Sequence, residues 1–116
     1  MIAEALQQAG FPNVEPEGEM VHARLEPSGI EFRAEPEGEA WRLMLHWPMR
    51  APERHLAAWN AGKTEALMDI HKGETRLSML TTGDKAELAR WSLWAEEGIA
   101  AMVRWRREQR QPGEGY

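Results

Sequence analysis

The sequence predicts an α+β protein in which helices pack on a single antiparallel sheet of five strands. Short segments of alternating apolar and polar residues recur along the first two thirds of the chain. Three copies of an E-P-x-G signature separate the early segments, and a long helical pattern without a stop signal follows Gly83. These observations predict the element order α-β-β-β-α-β-β-α.

The E-P-x-G copies read E-P-E-G at residues 15–18, E-P-S-G at residues 26–29 and E-P-E-G at residues 35–38. Proline fixes φ near the value that the second residue of a type I turn needs, and glycine suits the fourth position. We therefore expect a turn at each copy, with strands of a meander between them.

Strands are expected where apolar residues occupy every second position. In the meander these are residues 20–25, 30–34 and 41–47. The third strand carries two tryptophans and two leucines on one face, so we place it near the centre of the sheet. A later hairpin is expected from residues 65–71 and 75–80, joined by a three-residue loop centred on glycine.

Three helices are expected from apolar residues at helical spacing. The first two are short and cover residues 1–9 and residues 53–61. The third is long and covers residues 85–110. Asp84 is its expected N-cap, and Glu87 three residues later is expected to close a capping box.

The chain has 116 residues and no cysteine, with six tryptophans and seven methionines. This length fits a single domain, which we place at residues 1–110. The polar segment at residues 111–116 is expected to be a disordered tail. The first ten residues lack the apolar run of a signal peptide or membrane span, so we expect a cytoplasmic protein that does not enter a membrane.

The formal net charge is −5, and it is unevenly distributed. Residues 1–40 carry nine acidic and two basic side chains, whereas residues 41–116 carry ten acidic and twelve basic ones. An acidic half repels phosphate backbones, so we do not expect nucleic acid as a partner. The acidic side chains are expected in turns and on a solvated face.

The order and size of the elements resemble those of the small secretion chaperones of type III systems and of the related YbjN-like proteins (bacterial sensory transduction regulators). The resemblance covers residues 1–110 and is strongest over residues 56–80, where Trp59 and Asn60 end a helix before a strand. It implies an α-β-β-β-α-β-β-α fold and a non-enzymatic binding protein, commonly a homodimer. It also implies a client segment held in extended form against the protein surface.

Candidates for catalysis or metal binding are sparse. The four histidines show no pairing at i and i+2 or i and i+4, and no H-E-x-x-H motif occurs. The strand pattern places His22 and His46 on the less apolar face, where His71 and Asp69 could join them in a metal site. No serine lies in a G-x-S-x-G motif. We expect ordinary surface histidines, no catalytic residue, no metal and no cofactor.

The last helix carries more tryptophan than one sheet face needs for its packing. The surplus is expected to be exposed or to be buried against another protein, with packing against the sheet as the alternative for each residue. The residues that we predict to form a protein interface are Met44, Trp91, Trp94, Met102 and Trp105.

The sequence therefore favours a non-enzymatic protein-binding or chaperone-like module that forms a homodimer and binds a client or partner protein. The alternative is a small α+β ligand-binding protein or enzyme with a polar site on the sheet face, for instance at His46 and His71. A third hypothesis is a subunit of a larger complex that has no activity alone.

Overall fold

A computed structural model of the chain describes residues 2–110. These residues form three helices and one antiparallel sheet, which confirms the α+β class. Met1 and the expected tail at residues 111–116 lie outside the described residues. The elements in chain order are α1 (Ile2–Gln8), β1 (Glu15–Glu17), β2 (Met20–Arg24), β3 (Glu31–Glu37), β4 (Ala40–Trp47), α2 (Glu53–Ala61), β5 (Ala66–His71), β6 (Glu74–Thr81) and α3 (Lys85–Arg110).

The sheet has six strands in the order β1-β2-β3-β4-β6-β5, so the prediction of five strands is wrong. The element order is α-β-β-β-β-α-β-β-α. The additional strand is β1, which pairs with β2 through Glu15↔His22 and Glu17↔Met20. It lies where the sequence predicts the first turn, so the first E-P-E-G copy is mainly strand.

The positions of Gly18 and Gly38 explain this error. Each is the first residue of a two-residue hairpin loop and has a positive φ, 63° at Gly18 and 62° at Gly38. Two-residue hairpin loops favour turns whose twist matches that of the strands, and the type II′ turn takes glycine at its first loop position. The glycine therefore begins the turn instead of ending it, and the E-P-E residues before it extend the strand. The middle copy forms a turn at residues 26–28, as predicted.

The hairpin between β5 and β6 has a two-residue loop, so the predicted three-residue loop is also wrong. Lys72 and Gly73 have φ angles of 52° and 81°, and positive φ at both loop residues is the requirement of a type I′ turn. His71 and Glu74 are the paired residues that flank the loop. β6 therefore begins at Glu74, without a bulge.

The two faces of the sheet differ in what covers them. The buried side chains of all three helices form one cluster with a single face of the sheet. Along β4, Leu43 and Leu45 belong to this cluster, whereas Arg42, Met44 and His46 alternate with them and point to the opposite face. We call that opposite face the open face.

The three helices lie close to the predicted ranges, because each apolar stripe is bounded by glycine, proline or a capping residue. Within residues 2–110, none of the helices combines the length and apolarity that crossing a membrane requires. Asp84 caps α3 as predicted, since its Oδ2 accepts hydrogen bonds from two N–H groups of the first turn, the shorter at 3.0 Å.

Glu87 does not form the predicted capping box, in which its side chain would accept a hydrogen bond from the Asp84 N–H. Its Oε1 accepts hydrogen bonds from the Thr82 N–H at 2.8 Å and from the Thr81 hydroxyl at 2.7 Å, before the helix starts. The Thr81 hydroxyl, followed by the Thr82 N–H, holds the pKa of Glu87 below its usual value. This carboxylate therefore joins the end of β6 to the start of α3.

Gly98 lies in the middle of α3, where the helix approaches the sheet closely. A Cβ atom at this position would lie 2.9 Å from Met68 Cε and 3.0 Å from Leu77 Cδ2. Glycine costs about 1 kcal/mol relative to alanine in a helix interior. The close approach explains why a glycine fits here, since α3 rests directly on side chains of β5 and β6.

We expect Gly98→Val to lower the free energy of unfolding by about 1–3 kcal/mol, because the added methyl groups overpack the site against Met68 and Leu77. Ala100→Val, on the exposed side of the same helix, is the control for the low helix propensity of valine. Urea unfolding measures both variants. Equal stability of the two would show that the approach at Gly98 is not a constraint.

We expect Glu87→Gln to lower the free energy of unfolding by about 1 kcal/mol at neutral pH, because charge-assisted hydrogen bonds become neutral ones. A carboxylate with a lowered folded-state pKa stabilises the fold above its unfolded pKa and loses this contribution as the pH falls through the folded pKa. The difference from wild type should therefore shrink below about pH 4. Glu39→Gln, in an exposed turn, is the control, and a pH-independent difference for Glu87→Gln would contradict this explanation.

Candidate functional site

A groove of about 740 Å³ runs between α2 and the outer strand β5. Leu56, Ala57 and Asn60 line it from α2, and Met68 and Ile70 line it from β5. Glu53 of α2 and Asp69 of β5 also line it, together with residues of the segment before α2 and of the end of α3. Its volume lies within the range of about 300–1,000 Å³ that is typical of ligand-binding pockets.

The groove follows a free edge of the sheet, because β5 is the last strand and, within residues 2–110, pairs only with β6. In an antiparallel strand the backbone groups of successive residues point alternately to the two sides. Met68 directs its N–H and C=O away from β6, since both bond to Asn60. Ala66 and Ile70 lie two residues to either side of Met68, so their backbone groups point to the same free edge.

Asn60 occupies the middle of this edge. Its side-chain Nδ2 donates to the Met68 carbonyl oxygen at 2.9 Å, and its Oδ1 accepts from the Met68 N–H at 2.8 Å. A residue in a neighbouring antiparallel strand supplies the same reciprocal pair of hydrogen bonds. The contact also ties the C-terminal end of α2 to β5.

The opposite edge of the sheet is unsuited to further pairing. β1 has three residues, with Pro16 between two glutamates, and all three are exposed. Short length, charge and proline are the features with which natural proteins block an edge strand. β5 has six residues and carries apolar side chains, so it is the edge that can accept another strand.

Charged pairs cover much of the open face. Arg42 makes two hydrogen bonds to Glu37, at 2.8 and 2.7 Å, and a third to the Ser78 hydroxyl at 3.2 Å. The hydrogen bond from Arg42 holds the pKa of Glu37 below its usual value. Arg76 binds Asp69 through two further hydrogen bonds, at 3.0 and 2.8 Å. These contacts neutralise neighbouring charges in pairs, as expected for a solvated face.

The candidate histidines are only partly brought together. The ring centroids of His46 and His71 are 5.9 Å apart on the open face, and in the described chain His46 Nε2 is buried without a hydrogen-bond partner. Burial, followed by the charge of Arg33, holds the pKa of His46 below its usual value. Asp69 is engaged by an arginine, and His22 contacts a glutamate of β1. Across residues 2–110, no three His, Cys, Asp or Glu side chains are placed to hold a metal ion.

Most of the predicted interface residues on α3 lie in the core. Trp91 and Met102 are both 0% exposed, and Trp105 is 7% exposed. Trp105 stacks on His55 of α2, with ring centroids 5.0 Å apart and planes nearly parallel. Trp94 is half-buried, which makes it the most exposed of the four.

Met44 lies apart from these residues. It points to the open face and is 5% exposed, whereas α3 packs on the other face of the sheet. The structure therefore does not bring the five predicted residues together on one surface. A role in an interface stays a prediction for these five residues. Trp94 is the one whose side chain is partly exposed, and a residue needs exposure to contact another protein.

The groove and the role of Asn60 are not evident from the sequence. Nothing in the spacing shows that the Asn60 carboxamide reaches a backbone eight residues further along the chain. The available signal is a polar residue between Trp59 and Ala61 at the end of a short helix. An asparagine there is also compatible with an ordinary helix end. The pattern alone therefore does not distinguish a side chain that binds a strand edge from one that lies at the end of a helix.

No protein family matches the chain, and neither a curated protein nor a solved structure matches it. The resemblance to type III secretion chaperones and YbjN-like proteins therefore stays a prediction.

Proposed function

We propose that this chain is a non-enzymatic protein-binding module that holds an extended segment of a partner protein in the groove between α2 and β5. The observation that carries the proposal is the free edge of β5, where Ile70 lines the groove and its backbone groups point away from the sheet. An extended polypeptide is the ligand that offers complementary N–H and C=O groups at strand spacing.

The lining of the groove supports the same class of ligand. Leu56 and Met68 are buried apolar residues that form part of its walls, and Ile70 is half-buried. When a strand is added to a sheet, main-chain hydrogen bonds provide affinity and neighbouring pockets take alternate side chains. Arg50, Glu53 and Asp69 also line the groove. Asp69 is paired with Arg76, and the opposite charges of Arg50 and Glu53 favour neither a basic nor an acidic segment.

This function agrees with what the resemblance to secretion chaperones and YbjN-like proteins implies, namely a client segment held in extended form. The additional strand β1 lies at the other edge of the sheet and leaves the β5 edge free. We propose that the chain has a chaperone-like role towards such a client in the cytoplasm.

A second candidate function is the binding of a small ligand on the open face. His46 Nε2, which is buried and has no hydrogen-bond partner among the described residues, favours it, together with an adjoining hollow of about 360 Å³. Arg33, His71, Lys72 and Glu74 also line that hollow. These side chains carry charges of both signs and single out no ligand class, so we place this function second.

We expect Ala57→Trp to weaken peptide binding by about tenfold or more, because the indole would fill the groove. Ala57 is exposed and lines the groove, whereas its exposed neighbour Ala58 does not line it. Peptides selected from a random linear library on the wild-type chain are the probes, and calorimetry gives their dissociation constants.

Ala58→Trp is the matched control and should bind these peptides with an affinity within about twofold of wild type. Peptides that are N-methylated at the residues that pair with β5 should lose binding, because they no longer donate to the strand edge. A library that yields no binding peptide, or equal binding by both tryptophan variants, would contradict the proposed site.

We also propose that two copies of the chain associate through α3. Leu93 is 65% exposed and is adjacent in sequence to the half-buried Trp94. Specific interfaces bury about 800 Å² on each partner, so the polar residues around this pair must contribute as well. The proposal keeps the homodimer that the sequence analysis expects and centres it on Trp94.

We expect the wild-type chain to be a dimer in light scattering and Leu93→Lys to be a monomer, because the lysine places a charge in an apolar contact. Leu67→Lys is the matched control, since Leu67 is an exposed leucine (47%) on the open face. It should leave the dimer intact. A wild-type monomer, or a dimer disrupted only by Leu67→Lys, would show that α3 is not the interface.

A further inference from the structure

We infer that two copies of the chain pack their α3 helices antiparallel, so that the arginine-rich end of each helix covers the alanine-rich start of the other. The inference rests on the proposed association through α3, and it names the contact surface and the orientation of the partner. It does not depend on the peptide groove. The orientation follows from the order of residues along the exposed side of α3.

We call the exposed side of α3 its outer face. The residues that form it recur at intervals of three or four, which places them on one side of a helix. The row is about 32 Å long, since an α-helix rises about 1.5 Å per residue. Leu93 is its largest apolar side chain and is 65% exposed, and the half-buried Trp94 lies beside it. The outer face consists of seven exposed residues: Ala86, Ala89, Leu93, Glu97, Ala100, Arg104 and Arg107.

Long and short side chains are distributed unevenly along the outer face, with alanines at its start and arginines near its end. In a parallel pair each residue would face its own copy, which leaves gaps between alanines and crowds the leucines. Arginine can cover apolar surface with its aliphatic stem while its charge stays in water. An antiparallel pair centred between residues 96 and 97 matches each of three long side chains with an alanine of the partner: Leu93 with Ala100, Arg104 with Ala89 and Arg107 with Ala86.

Arg104 and Arg107 are the charged residues at the end of the outer face. Within residues 2–110, neither of them makes an ion pair. In a parallel pair each would face its own copy, and like charges brought together in a contact cost free energy. In an antiparallel pair both arginines lie against the start of the partner's helix instead. The charges at that end therefore decide whether the contact is favourable.

The charges at the start of α3 suit these arginines. Arg90 Nε lies 2.8 Å from Glu65 Oε1, so the charge of Arg90 is balanced within the chain. Lys85 lines the same hollow as Glu26, which is an exposed acidic residue. Each basic residue at this end thus has an acidic one nearby. The exposed carboxylate of Asp84 adds a further negative charge that the partner's arginines can meet.

Two acidic residues lie at the midpoint of the antiparallel pair, where the two copies meet. Both are held by partners in their own chain. Glu97 Oε1 lies 2.8 Å from Lys63 Nζ, which balances its charge. Glu96 Oε2 accepts a hydrogen bond from the Ser28 hydroxyl at 2.7 Å. These contacts draw the two carboxylates away from the midpoint, so they do not oppose the contact there.

Introduced cysteines map the contact, because the chain has none of its own. A disulfide requires two Cα atoms within about 7 Å of each other. We expect Glu97→Cys, at the midpoint, to form a disulfide-linked dimer under mild oxidation. Ala86→Cys should form none by itself, because about 30 Å separates its two copies in an antiparallel pair. A mixture of Ala86→Cys and Arg107→Cys chains should form the linked heterodimer.

A charge at position 89 distinguishes the two orientations independently. Ala89→Glu places an acidic residue against Arg104 of the partner subunit in an antiparallel pair, but against a second glutamate in a parallel one. We expect this variant to lower the dimer dissociation constant about fivefold in sedimentation equilibrium at low salt. Ala89→Lys, at the same exposed position, is the matched control and should raise that constant about fivefold. Combining Ala89→Glu with Arg104→Ala should abolish the gain.

The outcomes separate the orientation from the proposed dimer. Self-linkage of Ala86→Cys, with weaker association of both Ala89 variants, would show a parallel pair and overturn the orientation while the α3 dimer stands. A wild-type dimer in which none of the cysteine variants becomes linked would overturn both, because α3 is then not the contact. A monomeric wild type would also overturn both. Peptide binding is measured separately with the Ala57 and Ala58 variants, and none of these results bears on it.

Discussion

The contact of α3 with β5 and β6 at Gly98 is the constraint on which the rest of the structure depends. It requires Met68 and Leu77 to point towards the helices, where both are buried. In a strand, the direction of the side chain and the direction of the backbone groups alternate together. The same register that buries Met68 therefore turns its N–H and C=O towards the free edge, where Asn60 meets them.

The two faces of the sheet contribute differently to stability. The covered face provides the apolar burial that stabilises a chain of this size, with all three helices contributing to one cluster. The open face carries charged pairs such as Arg42 with Glu37, which contribute little to stability because water still reaches them. Between these pairs Met44 and Ser78 are buried, so the open face is only partly exposed to solvent.

The two edges of the sheet also differ, because different groups cover them. At one end the short, charged strand β1 prevents further pairing, because Pro16 has no backbone N–H to donate to a neighbouring strand. At the other end Asn60 covers the middle of the edge with a carboxamide, which has the hydrogen-bonding groups of a peptide bond. The β1 edge is therefore closed to further pairing, whereas the β5 edge is covered only at Met68, by the side chain of Asn60.

The sequence predicted the local elements of the fold but not the contact that forms the groove. Apolar spacing located all three helices and most strands, since these patterns are local consequences of which side chains must be buried. The capping role of Asp84 was also evident, because a helix cap is made by residues that are neighbours in the chain. The proposed groove was not evident, because Asn60 and Met68 are joined only once α2 has packed beside β5.

By itself, the sequence determined the α+β class, the long terminal helix and the alternation of buried and exposed residues, all of which depend on short-range periodicity. Only the tertiary structure decided that Gly18 and Gly38 begin their turns, because the choice depends on how two paired strands twist. It also decided that Trp91 and Met102 fill the core, since a pattern shows that residues share a face but not how much of that face the sheet covers. The physical reason is the same in each case: a local pattern reflects the chain's own geometry, and burial reflects which distant elements meet.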